Sequence, residues 1–163
     1  MKRHDLILTI VLVVQVALSA VVFWPKSATS SGGEPVFAGV EADTIVALTV
    51  TDDQGNSIVL RKADGGWVLP EAGDYPAQVD KIAPVLEKIV GLNTDRLVTD
   101  TDASHKRLQV AADRFMRRVA FETGDGADYV LYLGSSPSYG VTHFRLDGQS
   151  EVYLAKDLTS WEL

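Results

Sequence analysis

Nineteen consecutive residues near the start of the chain, Leu6 to Trp24, carry no charge. They read LILTIVLVVQVALSAVVFW, and only Thr9, Gln15 and Ser19 interrupt the apolar run. A helix rises about 1.5 Å per residue, so the run reaches roughly 28 Å, close to the apolar thickness of a bilayer. The flanks suit a span. Lys2 and Arg3 precede it, Trp24 stands at its far end where an amphipathic ring favours the interface, and Pro25 stops a helix.

A cleaved signal peptide has a shorter apolar core, about 7–15 residues, and small side chains at the cleavage site. The best candidate site, Ala20, has Leu18 where a small residue is wanted. The expectation is therefore an uncleaved single-pass anchor with Trp24 as its interface residue. Two cations precede the span and only Lys26 follows closely. By the positive-inside rule the N-terminus is cytoplasmic and the C-terminal domain is exported, periplasmic or extracellular. Projected as a helix, Ala17 and Ala20 lie close together and Gln15 lies apart. Small residues let a neighbouring backbone approach, and an intramembrane amide seeks a polar partner. Gln15, Ala17 and Ala20 are the expected contacts with a membrane partner.

Past Pro25 the chain carries 13 Lys and Arg against 21 Asp and Glu. That excess argues against binding nucleic acid through bulk electrostatics and against lying flat on anionic lipid. There is no cysteine, which excludes disulfides, thiolate metal sites and cysteine nucleophiles.

Ser27 to Pro35, SATSSGGEP, has the composition of a flexible tether. From Asp43 the pattern is that of strands. Val46, Leu48 and Val50 alternate with Ala47, Thr49 and Thr51, the period of two of a half-buried strand. Asp52–Asn56 is a turn, Ser57–Lys62 the returning strand, and Gly66–Leu69 a third strand bearing Trp67. Val79, Ile82, Leu86, Ile89 and Val90 then recur at helical spacing, predicting a helix over about Ala77–Leu92 that either kinks or starts at Pro84. Asp95–Val98 reads as extended, and Asp102 as the cap of a short helix ending at Leu108. Phe115, Arg117, Val119 and Phe121 fall on one face of the next strand. Tyr129–Leu133, Val141–Leu146 and Val152–Ala155 complete a second meander. The fold class expected is α+β: a single N-terminal transmembrane helix, then one exported domain of two antiparallel β-meanders with a packed helix. The expected boundaries are a cytoplasmic N-terminus (1–5), the anchor (6–24), a flexible linker (25–42) and the exported domain (43–163).

The order of these parts carries a resemblance. After the span come DTIVALTV, IVLRKADGGWVL, VDKIAPVLEKIVGLNTDRLV, VAFETGDGADYVLYLG and VTHFRLDGQSEVYLA. Together they resemble the bacterial membrane-anchored "domain of unknown function 4340" family. Some members accompany ABC-type transporter components like those of gliding-motility systems. The shared motifs are structural: a tryptophan after a hairpin glycine, a helix leading into a strand, and a glycine after the strand ending at Leu133. The family's tyrosine-arginine near the last hairpin stands here as Phe144-Arg145. The resemblance brings no catalytic residue with it.

Candidate chemistry is sparse. His105 and His143 lack acidic partners at ligand spacing and read as polar surface residues, while His4 falls on the other side of the membrane. Asp100–Ser104 matches the first half of a calcium loop, but His105 and Ala111 stand where glycine and glutamate are needed. Gly134–Ser138 lacks the last glycine of a nucleophile elbow. Arg117 reads as a charge guarding a strand edge, or as a partner contact. The exposed, hydroxyl-rich loop of Ser135, Ser136, Pro137, Ser138 and Tyr139 is the first choice for a partner or ligand contact. The reading includes no enzyme activity, cofactor or metal. It expects a non-enzymatic accessory subunit anchored in the bilayer, whose exported domain meets the outer face of an integral membrane complex. That complex would be an ABC-type transporter or a respiratory or photosynthetic assembly. The alternative is a tethered domain binding a glycan or lipid headgroup between sheet and helix, with Pro70–Pro76 and Gly134–Gly140 as its rim.

Overall fold

Alternating apolar residues dominate the domain, and they assemble into one antiparallel sheet. The computed structural model describes residues 33–63 and 66–163. The predicted anchor, with Gln15, Ala17, Ala20 and Trp24, lies outside the described residues. Among the described residues no helix is long and apolar enough to cross a membrane.

The first strands are β1 (Ile45–Asp52), β2 (Ser57–Ala63), β3 (Gly66–Leu69) and β4 (Tyr75–Pro76). Helix α1 (Val79–Val90) leads to β5 (Leu97–Thr99), and the short helix α2 (His105–Leu108) leads to β6 (Val110–Ala111) and β7 (Arg114–Phe115). Then come β8 (Arg117–Thr123), β9 (Asp128–Leu133), β10 (Val141–Leu146) and β11 (Val152–Lys156). Nine strands form one sheet in the order β4-β3-β2-β1-β8-β9-β10-β11-β5, and β6 and β7 pair separately. The two predicted meanders are thus halves of one sheet, joined where β1 pairs with β8.

Register explains the core. Leu60, Leu48, Phe121 and Tyr129 align across β2, β1, β8 and β9, and Leu133, further along β9, aligns with Phe144 and Tyr153 of β10 and β11. The residues between them point to the opposite face, because strand side chains alternate. Ile82, Leu86 and Ile89 of α1 are buried in the same cluster as Leu48, Phe121, Leu131 and Phe144. Pro84 lies inside α1 and is exposed. It neither starts nor ends the helix, because the carbonyl it leaves without an amide partner sits on the solvent side.

Residues 33–42, assigned to the linker by composition, belong to the domain. Val36 N–H donates to the Leu92 carbonyl at 2.9 Å, and Pro35 bridges to Asn93. Phe37 is buried edge-on against Phe121 and Tyr129, with ring centroids 5.1 and 5.4 Å away. An isolated aromatic between the polar stretch ending at Pro35 and the first strand has no period to announce it.

The opposite face carries a second, smaller cluster of Leu108, Val110, Tyr132 and Val152, with Phe115 and Val130 packed against it. Phe115 therefore does not share a face with Val119 and Phe121. It pairs with Val110 in the two-stranded sheet and packs 5.6 Å from Tyr132. The period breaks at Met116, whose N–H bonds to the Leu133 carbonyl as the chain crosses to the main sheet. Arg117 is no edge charge either, since β8 lies between β1 and β9. Its Nε donates to the backbone oxygen of Leu163 at 3.0 Å and its Nη1 to the Met116 carbonyl at 2.8 Å.

Candidate functional surface

The loop after β9 starts under tight constraint. A Cβ at Gly134 would collide with the carbonyl oxygens of Leu108 and Gln109. Only glycine lets α2 pass this close. Ser135 then donates to the Leu108 carbonyl through its N–H at 2.9 Å and its hydroxyl at 3.2 Å. His143 Nδ1 approaches the Ser135 carbonyl at 2.6 Å and the Ser135 hydroxyl at 3.2 Å. A carbonyl only accepts, so Nδ1 carries the proton. The ring therefore cannot take a proton from Ser135 at that nitrogen, and the pair is not arranged as nucleophile and base. Ser136 and Thr142 hydroxyls meet at 3.0 Å, and Val141 N–H closes the loop on the Ser138 carbonyl. Pro137 and Tyr139 project beyond these ties, with Tyr139 95% exposed.

Both domain histidines are buried, not on the surface. His105 is 9% exposed and His143 8%. Each ring is fixed by a backbone carbonyl, His105 Nε2 donating to Ser150 O at 2.8 Å. An imidazole spends one N–H on a carbonyl and buries its carbon edge, a use that sequence spacing does not reveal. Asp102 is the first residue of the 3-10 turn Asp102–Ser104 rather than the cap of α2, whose N-cap position is Ser104. The Asp102 carboxylate lies 3.8 Å from His105 Nε2.

The residue that sequence reasoning passed over is Arg145. It is 5% exposed in the middle of β10. Nε donates to Val110 O at 2.8 Å, and Nη1 donates to both Leu146 O and Gln149 O at 2.9 Å. The guanidinium lies 4.7 Å from the Tyr132 ring centroid, a cation–π contact. Tyr132 hydroxyl in turn reaches Asp147 at 3.2 Å. The sequence marks it only as half of the Phe144-Arg145 pair that stands for the family's tyrosine-arginine, and as a cation at a strand position whose neighbours alternate into a core.

Arg145 lines a cleft of about 450 Å³ between α2 and the β10–β11 turn, with Asp102, His105, Lys106, Asp147 and Ser150. Lys106 Nζ holds Asp113 at 2.6 Å, and that hydrogen bond keeps the Asp113 carboxyl below the usual carboxylate range. The space between α1 and the sheet is filled by Ile82, Leu86 and Ile89. Five surface clefts among the described residues are lined by neither Pro70–Pro76 nor Gly134–Gly140. Among the described residues no group of three or more His, Asp or Glu is placed to hold a metal ion.

A largely antiparallel sheet carrying a few helices defines an α+β domain. The family model described as "Domain of unknown function (DUF4340)" matches residues 67–161, from Trp67 in β3 to Trp161, and the chain belongs to that family. Strands β1 and β2 precede the matched segment although they share its sheet. No curated protein and no solved structure matches the chain.

Proposed function

We propose that this protein is a non-enzymatic accessory subunit, anchored in a bacterial inner membrane by Leu6–Trp24 with its N-terminus in the cytoplasm. The exported domain contacts the outer face of a larger membrane complex, an ABC-type transporter or a respiratory or photosynthetic assembly. The observation that supports this most is Tyr139. It stands almost fully exposed on a loop tied down by Ser135, Ser136 and His143. An aromatic presented on a held loop loses little entropy on docking, and such residues dominate interface energetics. The apolar, single-charge-free run of the anchor and its Gln15 supply the second contact.

Purification in mild detergent from native membranes tests the reading. An integral membrane partner is expected at fixed stoichiometry, with retention falling in Tyr139→Ser and in Gln15→Leu but not in Leu12→Ala. Migration as a free monomer in every preparation would remove the proposal. A ligand-binding reading draws its support from a different place than expected, the cleft beside Arg145.

A further inference from the structure

Arg145 presents an unusual balance of charge. Its guanidinium is nine-tenths buried, yet among the described residues no Asp or Glu oxygen lies within 4.0 Å of it. Three backbone carbonyls take Nε and Nη1, and a tyrosine ring covers one face. Carbonyls satisfy hydrogen bonds but do not neutralise a cation, and a buried charge ordinarily has a counter-ion. Nη2 bonds to none of the described residues. Among the described residues no buried side-chain nitrogen is left without a partner. Nη2 is therefore not sealed in, and the cleft beside α2 is the opening that Arg145 lines.

We propose that this cleft binds a carboxylate group, to which Arg145 Nη2 on its floor and Lys106 at its rim donate. Arg145 is already fixed by its other bonds, so a ligand gains a charge-assisted hydrogen bond without ordering the side chain. Lys106 is 65% exposed on its side chain and reaches Asp113 only across the surface, so it turns to an incoming anion at little cost. His105 contributes shape rather than a donor, because its Nε2 is committed to Ser150. Asp102 and Asp147 also line the cleft. Their charges select against a multiply charged anion and favour a single carboxylate over phosphate. The proposal stands apart from the partner reading, since nothing in it involves Tyr139 or the anchor.

The test uses the full chain in detergent micelles, followed by nitrogen-15 NMR of amides and arginine Nε–H. Acetate, inorganic phosphate and sodium chloride are titrated at equal ionic strength, and a blocked Ala-Glu dipeptide, which carries a single carboxylate, is titrated separately. Acetate is expected to shift Arg145 Nε–H, Lys106 and Ser150 saturably, with phosphate weaker and chloride inert. Asp102→Asn is expected to tighten acetate roughly two- to threefold and Lys106→Ala to weaken it by a similar factor, the size of one partly screened charge. Both substitutions are on exposed side chains, so folding is kept. Tighter binding of the dipeptide than of acetate assigns the carboxylate to a protein chain, and equal binding assigns it to a free acid. Shifts that follow ionic strength alone, that ignore both variants, or that phosphate produces and acetate does not would overturn the proposal.

Discussion

The two faces of the sheet are covered in unlike ways. On one, α1 lays Ile82, Leu86 and Ile89 over Leu48, Phe121, Leu131 and Phe144. On the other, α2, β6 and β7 cover a cluster of only four buried apolar residues. That second layer is tied by polar side chains reaching backbone carbonyls: Arg145 to Val110, His105 to Ser150, Ser135 to Leu108. The first face is held by area removed from water, which is non-directional and tolerant of detail. The second is held by directed bonds, where a lost partner leaves a carbonyl unsatisfied at about 1–3 kcal/mol. The lesson is that a small layer can be fixed in register by a few buried donors where its apolar area is too small to do so.

Breaking the apolar side should have the largest effect. Phe144 is fully buried and packs 5.7 Å from Tyr153. Phe144→Ala is expected to cost about 3–5 kcal/mol in urea unfolding, the usual range for deleting a core aromatic. A loss under about 1 kcal/mol would mean that this face is not the main source of stability.

The same contrast decides what could be read in advance. The stripe of α1 and the strands β1, β2, β8, β9, β10 and β11 follow from period alone, because burial on one face leaves a repeating apolar trace. The second layer leaves none. Its strands are two residues long, too short for a period to repeat, and its key groups are Arg145, His105 and His143. A polar residue reads as surface until its hydrogen-bond partner is known. Phe37 was hidden for a related reason, an isolated aromatic just past the tether-like stretch with no repeat around it. The loop from Ser135 to Tyr139 was found by composition, but composition did not separate the tied serines from the exposed Tyr139.

The smallest expected effect lies at the periphery of the apolar side, where Glu162 meets Lys88 of α1 at 2.7 Å. The Lys88 hydrogen bond, opposed by desolvation and aided by Thr159, holds the Glu162 carboxyl below its ordinary value. Ionised Glu162 therefore favours the folded chain above its unfolded pKa, and that contribution fades as pH falls through the lower, folded value. Glu162→Gln should cost at most about 1 kcal/mol near neutral pH, as expected for a part-exposed pair. Urea unfolding at about pH 7 and about pH 3 should show the difference from the parent chain shrinking in acid. A gap that widens in acid would reverse the assigned sign.

The most direct test of the contrast is native-state hydrogen exchange on the full chain, with and without Arg145→Lys. Lysine keeps the charge but loses the fork that spans three carbonyls. Amides of β8, β9 and β10 should exchange only at the free energy of global unfolding. Those of α2, β6 and β7 should open at a lower free energy, and Arg145→Lys should lower theirs further by about 1–3 kcal/mol. Equal protection on both faces, falling together in the variant, would contradict the account of two layers held by different forces.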